Sequence, residues 1–349
     1  MMRIDRRFFL AAAASSLIAP PLAAQELKSD PYFAGLYAAA QKEGELTWYI
    51  AHWSTEVAEH VAAEFAKTWS GVKANVVRAT SQVIYQRLSQ DMKAGVPNCD
   101  VFGSADNGHY PPLRAQNKLL AFAPKNLPFC VPILKDFDPD HFVTITDTNP
   151  TVLAYNTKLV TKEDAPKKWT DLLDPKWSGQ IAIPHPGYSG AMGAWTVAMT
   201  KLYGWDFFEK LHANKPLVSR SLVDPPVTIS NGESKVGLST VASAASMNAR
   251  GLPIAPVFPE DGAMLNVGPS SIMASTTHPN AAKLFMEFLL GKEVGAIMAS
   301  EYNIPVRADV APGPGLKPLA EMSGIKSDPV ELSQKLPDLI EKWRDTFGV

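Results

Sequence analysis

The first part of the chain alternates short apolar runs with segments in which apolar residues recur every four positions. The runs at 46–51, 72–77 and 100–103 predict buried strands. The helical faces between them are marked by Val57, Val61 and Phe65 and then by Ile84, Leu88 and Met92. A further short helix is predicted near 110–116. This order of elements predicts a parallel sheet covered by helices, an α/β fold.

A second α/β region follows an irregular stretch at 123–139 that contains four prolines. Strands are predicted at 152–155, 180–183 and 236–238, with an extended segment at 141–148 before them and another at 257–274. Helices are predicted at 169–173, 189–202, 205–213 and 242–249, from His278-Pro279 onward, and at 330–347, where Pro337 predicts a kink or a break. Because a chain of 349 residues is longer than one hydrophobic core usually supports, we expect two lobes.

Residues 1–24 are typical of an export signal. Arg3, Arg6 and Arg7 precede a short apolar run at 8–18, and Leu22-Ala23-Ala24 supplies the small residue needed for cleavage before Gln25. The pair Arg6-Arg7 resembles a twin-arginine signal; an ordinary secretory signal with a chance arginine pair is the alternative. The sequence therefore predicts a periplasmic protein with a cleavable signal and no membrane segment of its own.

Composition excludes several classes of protein. The 33 Lys and Arg nearly balance the 35 Asp and Glu, which argues against nucleic acid as a partner. With only Cys99 and Cys130, a disulfide scaffold and a cysteine zinc site are excluded; the two either pair in the oxidising periplasm or stay separate buried thiols. No G-x-S-x-G, Walker or H-E-x-x-H motif is present. We therefore expect no enzyme and no cofactor.

Five motifs in order resemble those of periplasmic substrate-binding proteins of ABC importers. They are CDVFGS at 99–104, LAYNT at 153–157, WTDLLDPKWSG at 169–179, GESKVGL at 232–238 and HPNAA at 278–282. The sequence resembles the type II fold group that contains the ferric-ion, polyamine, thiamine and phosphonate binders. The resemblance implies a two-lobed periplasmic-binding-protein fold with the ligand cleft between the lobes and a hinge at the crossings.

The lobe boundaries that the resemblance implies are 25–144 with 265–304 for lobe one, and 145–264 with 305–349 for lobe two. It also implies a small-molecule ligand and an ABC permease of the inner membrane as partners. We expect a monomer.

Ligands of open parallel sheets bind beyond the carboxyl ends of the strands, where helix N-termini favour anions. The candidate ligand-binding residues at these ends, or at family positions, are His52, Trp53, Ser54, Arg78, Ser81, Ser104, Tyr155, Ser189, Arg220 and Thr240. A purely structural role is the alternative for several of them: the serines cap helices, Trp53 packs in a core, and Tyr155 braces the hinge.

Two arginines point to the ligand class, because a guanidinium binds a carboxylate or phosphonate with two hydrogen bonds. Arg78 and Arg220 either do this or are simply solvated. The prediction is a small organic anion.

Two alternatives remain. One is a ferric-ion binder of the same fold, although the tyrosine pair that such members carry is absent from 239–243 while Tyr155 and His52 lie near positions some of them use. The other is a cleft enzyme with a cysteine nucleophile, for which Cys99 and Cys130 are poorly placed.

Overall fold

A computed structural model describes residues 28–322 and 324–349 of the protein. The predicted export signal at 1–24 lies outside these residues. Within the described part, no helix is both long and apolar enough to cross a membrane.

The first lobe is built on a six-stranded sheet. Its strands are β1 (Glu45–Ile50), β2 (Lys73–Arg78), β3 (Val101–Gly103), β4 (Leu119–Leu120), β5 (Thr144–Thr148) and β12 (Val267–Met273). The order is β2-β1-β3-β12-β4, with β5 beside β12, and β1 runs parallel to both β2 and β3. The predicted parallel β-α-β-α-β unit is therefore present.

Helices cover both faces of this first sheet. They are α1 (Pro31–Glu43), α2 (Thr55–Thr68), α3 (Ser81–Ala94), α4 (Tyr110–Ala115), α5 (Pro132–Lys135), α10 (Pro279–Leu289) and α11 (Lys292–Ser300). Much of the core is aromatic: the ring of Phe285 lies 4.9 Å from that of Trp48 and 5.0 Å from that of Phe65. This packing fixes β1 and α2, and with them the loop that joins them.

The second lobe is built on a seven-stranded sheet. Its strands are β6 (Thr151–Asn156), β7 (Ile181–Pro184), β8 (Leu217–Ser219), β9 (Val236–Thr240), β10 (Ile254–Val257), β11 (Ala263–Leu265) and β13 (Gly324–Lys326). The order is β13-β11-β6-β9-β7-β8, with β10 beside β6. Strand β7 is parallel to β8 and β9, whereas β6 is antiparallel to β9.

The helices of the second lobe bury a tryptophan-rich core. They are α6 (Gly190–Tyr203), α7 (Asp206–Ala213), α8 (Asp224–Asn231), α9 (Val241–Ala249) and α12 (Pro329–Phe347). Trp169, Trp195 and Trp343 are fully buried in this core. Helix α12 continues through Pro337, where a kink or break was predicted. The predicted helix at 169–173 is a short 3₁₀ turn.

The chain crosses between the lobes at two short polar segments. Strand β5 stays in the first sheet as far as Thr148 and β6 begins the second at Thr151, so the first crossing is at 149–150 rather than after residue 144. Leu265 still belongs to the second sheet, so the second crossing is at Asn266. Asn149 donates its backbone N–H to the carbonyl of Asn266 at 3.1 Å. The two crossings therefore lie side by side.

The segment after residue 304 differs from its predicted placement in lobe two. Cys130 forms a β-bridge with Arg307, and Val306 and Leu319 pack with Leu134 of the first lobe. The chain returns to the second lobe at β13.

The two cysteines are separate buried thiols, which answers the question left open by the sequence. Cys99 packs with Tyr49 and Phe102, whereas Cys130 lies in the cluster near the crossings.

Candidate functional site

A cavity of about 460 Å³ lies between the lobes, where strands end and helices begin. Small-molecule sites in proteins have volumes of about 300–1,000 Å³. Lobe one contributes the loops after β1 and β2, lobe two contributes the N-terminal turns of α6 and α9, and both crossings form the floor. The cleft is therefore at the strand ends that the fold class predicts.

Five helices begin at this cavity: α2, α3, α6, α9 and α8, whose N-cap residue is Val223. Ser54 caps α2, accepting the N–H of Val57 at 3.3 Å, and Thr240 caps α9, accepting the N–H of Ser243 at 3.1 Å. The cap residues of α3 and α6 are Thr80 and Ser189, and neither makes a side-chain cap hydrogen bond. Ser81, predicted as the cap of α3, is instead its first residue. Because helix N-termini carry partial positive charge, the arrangement favours an anion.

One arginine from each lobe lines the cavity. In lobe one, Arg78 ends β2 and donates its Nε–H to the carbonyl of Trp53 at 3.0 Å. Burial lowers the pKa of Arg78, while nearby Glu56 acts in the opposite direction. In lobe two, the exposed Arg250 donates to Ser246 Oγ at 2.9 Å. Sequence reasoning missed Arg250, because it follows the C-terminus of α9 and not the end of a strand.

The imidazole of His52 is inserted between two glycines of the first sheet. A Cβ on Gly103 would come 2.8 Å from its Cε1, and one on Gly268 would come 2.6 Å from its Cγ. Both ring nitrogens are buried and have no hydrogen-bond partner among the described residues. Burial, assisted by the positive charge of Arg78, lowers the pKa of His52 to about 3. The imidazole is therefore neutral at physiological pH.

Asp147 and Asn266 extend this polar surface along the crossings. Burial raises the pKa of Asp147 to about 7, although the indole of Trp53 and the backbone N–H of Thr148 act in the opposite direction. Asp147 Oδ1 and Asn266 Oδ1 are buried and accept no hydrogen bond from any described residue. Neither residue was a sequence candidate. The sequence offered one signal for them: each is a polar residue close to a predicted crossing between the lobes.

Seven of the ten sequence candidates line the cavity. They are His52, Trp53, Ser54, Arg78, Ser81, Ser189 and Thr240.

Three candidates lie elsewhere. Ser104 is fully buried inside lobe one, where its Oγ lies 3.0 Å from His109 Nδ1. Tyr155 is opposite Val236, whereas Thr151 is opposite Thr240 at the cleft. Since β6 runs antiparallel to β9, it leaves the cleft as it proceeds, and Tyr155 lies at the far end of the sheet.

Arg220 is the third candidate outside the cavity lining. It is exposed, and its guanidinium Cζ lies 5.5 Å from the centroid of the Tyr188 ring. The ring of Tyr188 itself lines the cavity. Arg220 is therefore beside the cavity and does not line it.

The lobes touch at one side of the cleft. A Cβ on Gly190, the first residue of α6, would lie 2.6 Å from the backbone nitrogen of Asp106 in the first lobe. Gln82 Nε2 donates to Asp106 Oδ2 at 2.8 Å, and His109 Nε2 lies 3.3 Å from the same oxygen. These contacts hold the loop that meets Gly190.

Metal donors are sparse in this region. The described residues contain no group of three or more His, Cys, Asp or Glu side chains placed to hold a metal ion. Tyr188 is the single tyrosine among the described cavity-lining residues, and its side chain is 48% exposed.

Comparison with solved structures supports the two-lobed fold. The periplasmic binding protein AfuA from Actinobacillus pleuropneumoniae, solved with exogenous fructose-6-phosphate bound, is 24% identical with a TM-score of 0.78, covering 88% of this chain and 99% of that chain. Iron-bound HitA from Pseudomonas aeruginosa is 22% identical with a TM-score of 0.75, covering 86% and 99%. A Trichodesmium protein (IdiA, FutA) in complex with iron and citrate is 18% identical with a TM-score of 0.68, covering 87% and 99%. At these identities the likeness shows the fold.

Sequence comparison gives the family. An uncharacterized protein of Haemophilus influenzae is 29% identical over 135 residues, which are 38% of this chain and 39% of that protein. The chain thus matches about two fifths of the length of this relative. A family model described as bacterial extracellular solute-binding protein matches residues 110–329, more than half of the chain. The chain belongs to this family of bacterial extracellular solute-binding proteins.

Proposed function

We propose that the protein is the periplasmic solute-binding component of an ABC importer and that it binds a small organic anion. The observation that carries the proposal is the convergence of five helix N-termini and Arg78 on one cavity between two lobes. Backbone N–H groups at helix N-termini and a guanidinium both favour a carboxylate, phosphate or phosphonate group. The family and the fold support the transport role.

Capture would proceed by closure of the lobes about the adjacent crossings at 149–150 and Asn266. Only a few extended residues change direction there, so the two cores stay intact. The closed form gains stability because only then do both lobes contact the ligand. An inner-membrane permease would then receive the ligand from the closed form.

Ferric ion is the second candidate, because two of the similar solved proteins are described with iron bound. In this chain β9 is followed by Val241, Ala242 and Ser243, which provide no phenolate. Tyr188 is the tyrosine that lines the cavity, and it is the residue to substitute in a test for iron. We expect ferric citrate to give no visible charge-transfer band; a band that disappears in Tyr188→Phe would contradict this.

An enzyme with a cysteine nucleophile is disfavoured by chemistry as well as position. Burial raises the pKa of Cys130 to about 11 and that of Cys99 well above its ordinary value. Both thiols therefore stay protonated, and a protonated thiol is a poor nucleophile. Neither lines the cavity. The test is the absence of product when the protein is incubated with the ligand that it binds.

A thermal-shift screen tests the ligand class. The protein is unfolded and refolded to remove any bound solute and is then screened with carboxylates, phosphates, phosphonates, polyamines, sugars and metal ions. We expect an increase in melting temperature with one class of organic anion, because a ligand that binds only the native state stabilises it. Stabilisation by polyamines, and by no anion, would overturn the proposal.

A further inference from the structure

The floor of the cavity carries three neighbouring side chains whose polar atoms lack partners. We call His52, Asp147 and Asn266 the hinge wall. Asp147 lies two residues before the first crossing and Asn266 is the second crossing, and a Cβ on Gly268 would touch both His52 and Asp147. The two ring nitrogens of His52, Asp147 Oδ1 and Asn266 Oδ1 are buried without a hydrogen-bond partner in the described part of the chain.

Such a cluster is unusual in a folded protein. The large majority of buried polar side-chain atoms are hydrogen-bonded, and leaving one unpaired costs about 1–3 kcal/mol. These four atoms belong to side chains that line the cavity which the helix N-termini face, and the indole Nε1 of Trp53, another lining residue, is likewise buried without a partner among the described residues. The ligand is the natural source of their missing partners.

The hinge wall mainly requires hydrogen-bond donors. Asp147 Oδ1 and Asn266 Oδ1 are acceptors, and a neutral imidazole accepts at one nitrogen while it donates from the other. An ionised carboxylate or phosphonate only accepts hydrogen bonds, so an anionic group cannot satisfy Asp147 or Asn266. A ligand that satisfies both ends of the cavity therefore needs a second functional group with a proton to donate.

A hydroxyl group fits this environment better than an ammonium group. The positive charge of Arg78 reaches the hinge wall, because it contributes to the lowered pKa of His52. Ionised Asp147 would attract an ammonium group, but burial would strip that group of its hydration and Arg78 would repel it. A hydroxyl donates to Asp147 or Asn266 and accepts from His52 without carrying charge.

We propose that the ligand is a hydroxylated organic anion: its acidic group lies at the helix N-termini, and its hydroxyl groups bind the hinge wall. This inference rests on the proposed function and narrows its substrate class. The cavity of about 460 Å³ has room for both groups in one molecule.

Three matched phosphate esters test the inference by calorimetric titration at pH 8, where Asp147 is ionised. Glycerol 3-phosphate carries two hydroxyl groups, propyl phosphate has the same carbon skeleton without them, and 3-aminopropyl phosphate carries an ammonium group. We expect glycerol 3-phosphate to bind about tenfold or more tightly than propyl phosphate, because a lost hydrogen bond to a charged partner weakens binding by at least this factor. We expect 3-aminopropyl phosphate to bind no better than propyl phosphate.

Variants of the hinge wall connect the preference to its residues. Asp147→Asn and His52→Gln should each reduce the affinity for glycerol 3-phosphate about tenfold while changing that for propyl phosphate about twofold or less. Glu163→Gln is the matched control, because Glu163 is an exposed carboxylate of the second lobe that does not line the cavity. It should leave both affinities unchanged. Circular dichroism confirms that each variant is folded.

The outcomes separate this inference from the proposed function. Equal affinities for glycerol 3-phosphate and propyl phosphate, or tighter binding of 3-aminopropyl phosphate, would overturn the hydroxyl assignment and leave an anion-binding function standing. A hydroxyl preference that persists in both hinge-wall variants would also overturn it. Failure of all three esters, and of every anion in the thermal-shift screen, would overturn both proposals.

Discussion

The imidazole of His52 lies so close to the backbone of Gly268 that a Cβ at residue 268 would come 2.6 Å from its Cγ. Real Cβ atoms do not tolerate such a contact, so Gly268 is required for the position of the ring. The loop after β1 and the strand after the second crossing thus depend on each other.

Gly268→Ala should displace His52 and weaken ligand binding. Overpacking of this kind also lowers the free energy of unfolding by about 1–3 kcal/mol. Gly35→Ala in the exposed part of α1 is the control, because nothing lies within 4 Å of its added Cβ; alanine should leave the protein equally or more stable there. Urea unfolding and calorimetric titration measure both effects. Unchanged affinity in Gly268→Ala would contradict the assigned place of His52 in the site.

Arg78→Gln should weaken binding of the anion about tenfold to a hundredfold, the cost of one charge-assisted hydrogen bond. Arg250→Gln is the matched comparison, because Arg250 is also exposed and lines the same cavity, but it lies at the C-terminus of α9, whereas Arg78 lies beside the N-termini of α2 and α3. We expect a smaller loss there. If the two variants are reversed in effect, the acidic group of the ligand lies nearer the second lobe than we infer.

Gly190→Ala should hold the cleft more open. Its new Cβ would collide with the backbone at Ala105 and Asp106, which cannot rotate away as a side chain can. Small-angle scattering should give a larger radius of gyration for this variant than for the parent protein, both with saturating ligand, and affinity should fall. An identical radius of gyration would show that the lobes do not need this contact to close.

The pH dependence of stability should reveal His52 and Asp147 as an offsetting pair. Burial raises the pKa of Asp147 to about 7, so its contribution to stability is lost as pH rises from about 4 through 7. Burial lowers the pKa of His52 to about 3, so its contribution is lost as pH falls below about 6.5. Between about pH 4 and 6.5 the two slopes have opposite signs and cancel.

Single variants should separate the two slopes. Relative to the ligand-free parent protein, Asp147→Asn should lose stability as pH falls from 6.5 to 4.5, and His52→Gln should lose stability as pH rises over the same interval. Each slope approaches about 1.4 kcal/mol per pH unit for one proton. Urea unfolding at pH 4.5, 5.5 and 6.5 measures them. If the free energy of unfolding depends on pH in the same way in the parent protein and both variants, the opposed contributions of His52 and Asp147 are contradicted.

Local rules in the sequence placed seven candidates at the cavity, and they failed where long-range geometry decided the position of a residue. His52, Ser54 and Arg78 were found because each lies within a few residues of a strand end, which the apolar pattern shows. Tyr155 was misplaced because the pattern does not give strand direction, and β6 runs away from the cleft. Asp147 and Asn266 were missed because their burial arises only when the two crossings meet.

The apolar cluster beside the crossings has a consequence for how the protein unfolds. Ile145 of the first sheet, Leu265 of the second, and Ile304 and Leu319 of the returning chain pack in one cluster. Neither lobe can lose its structure there without exposing apolar surface of the other. Heating should therefore melt both lobes together in a single calorimetric transition, and a ligand bound mainly by one lobe should still protect the whole molecule.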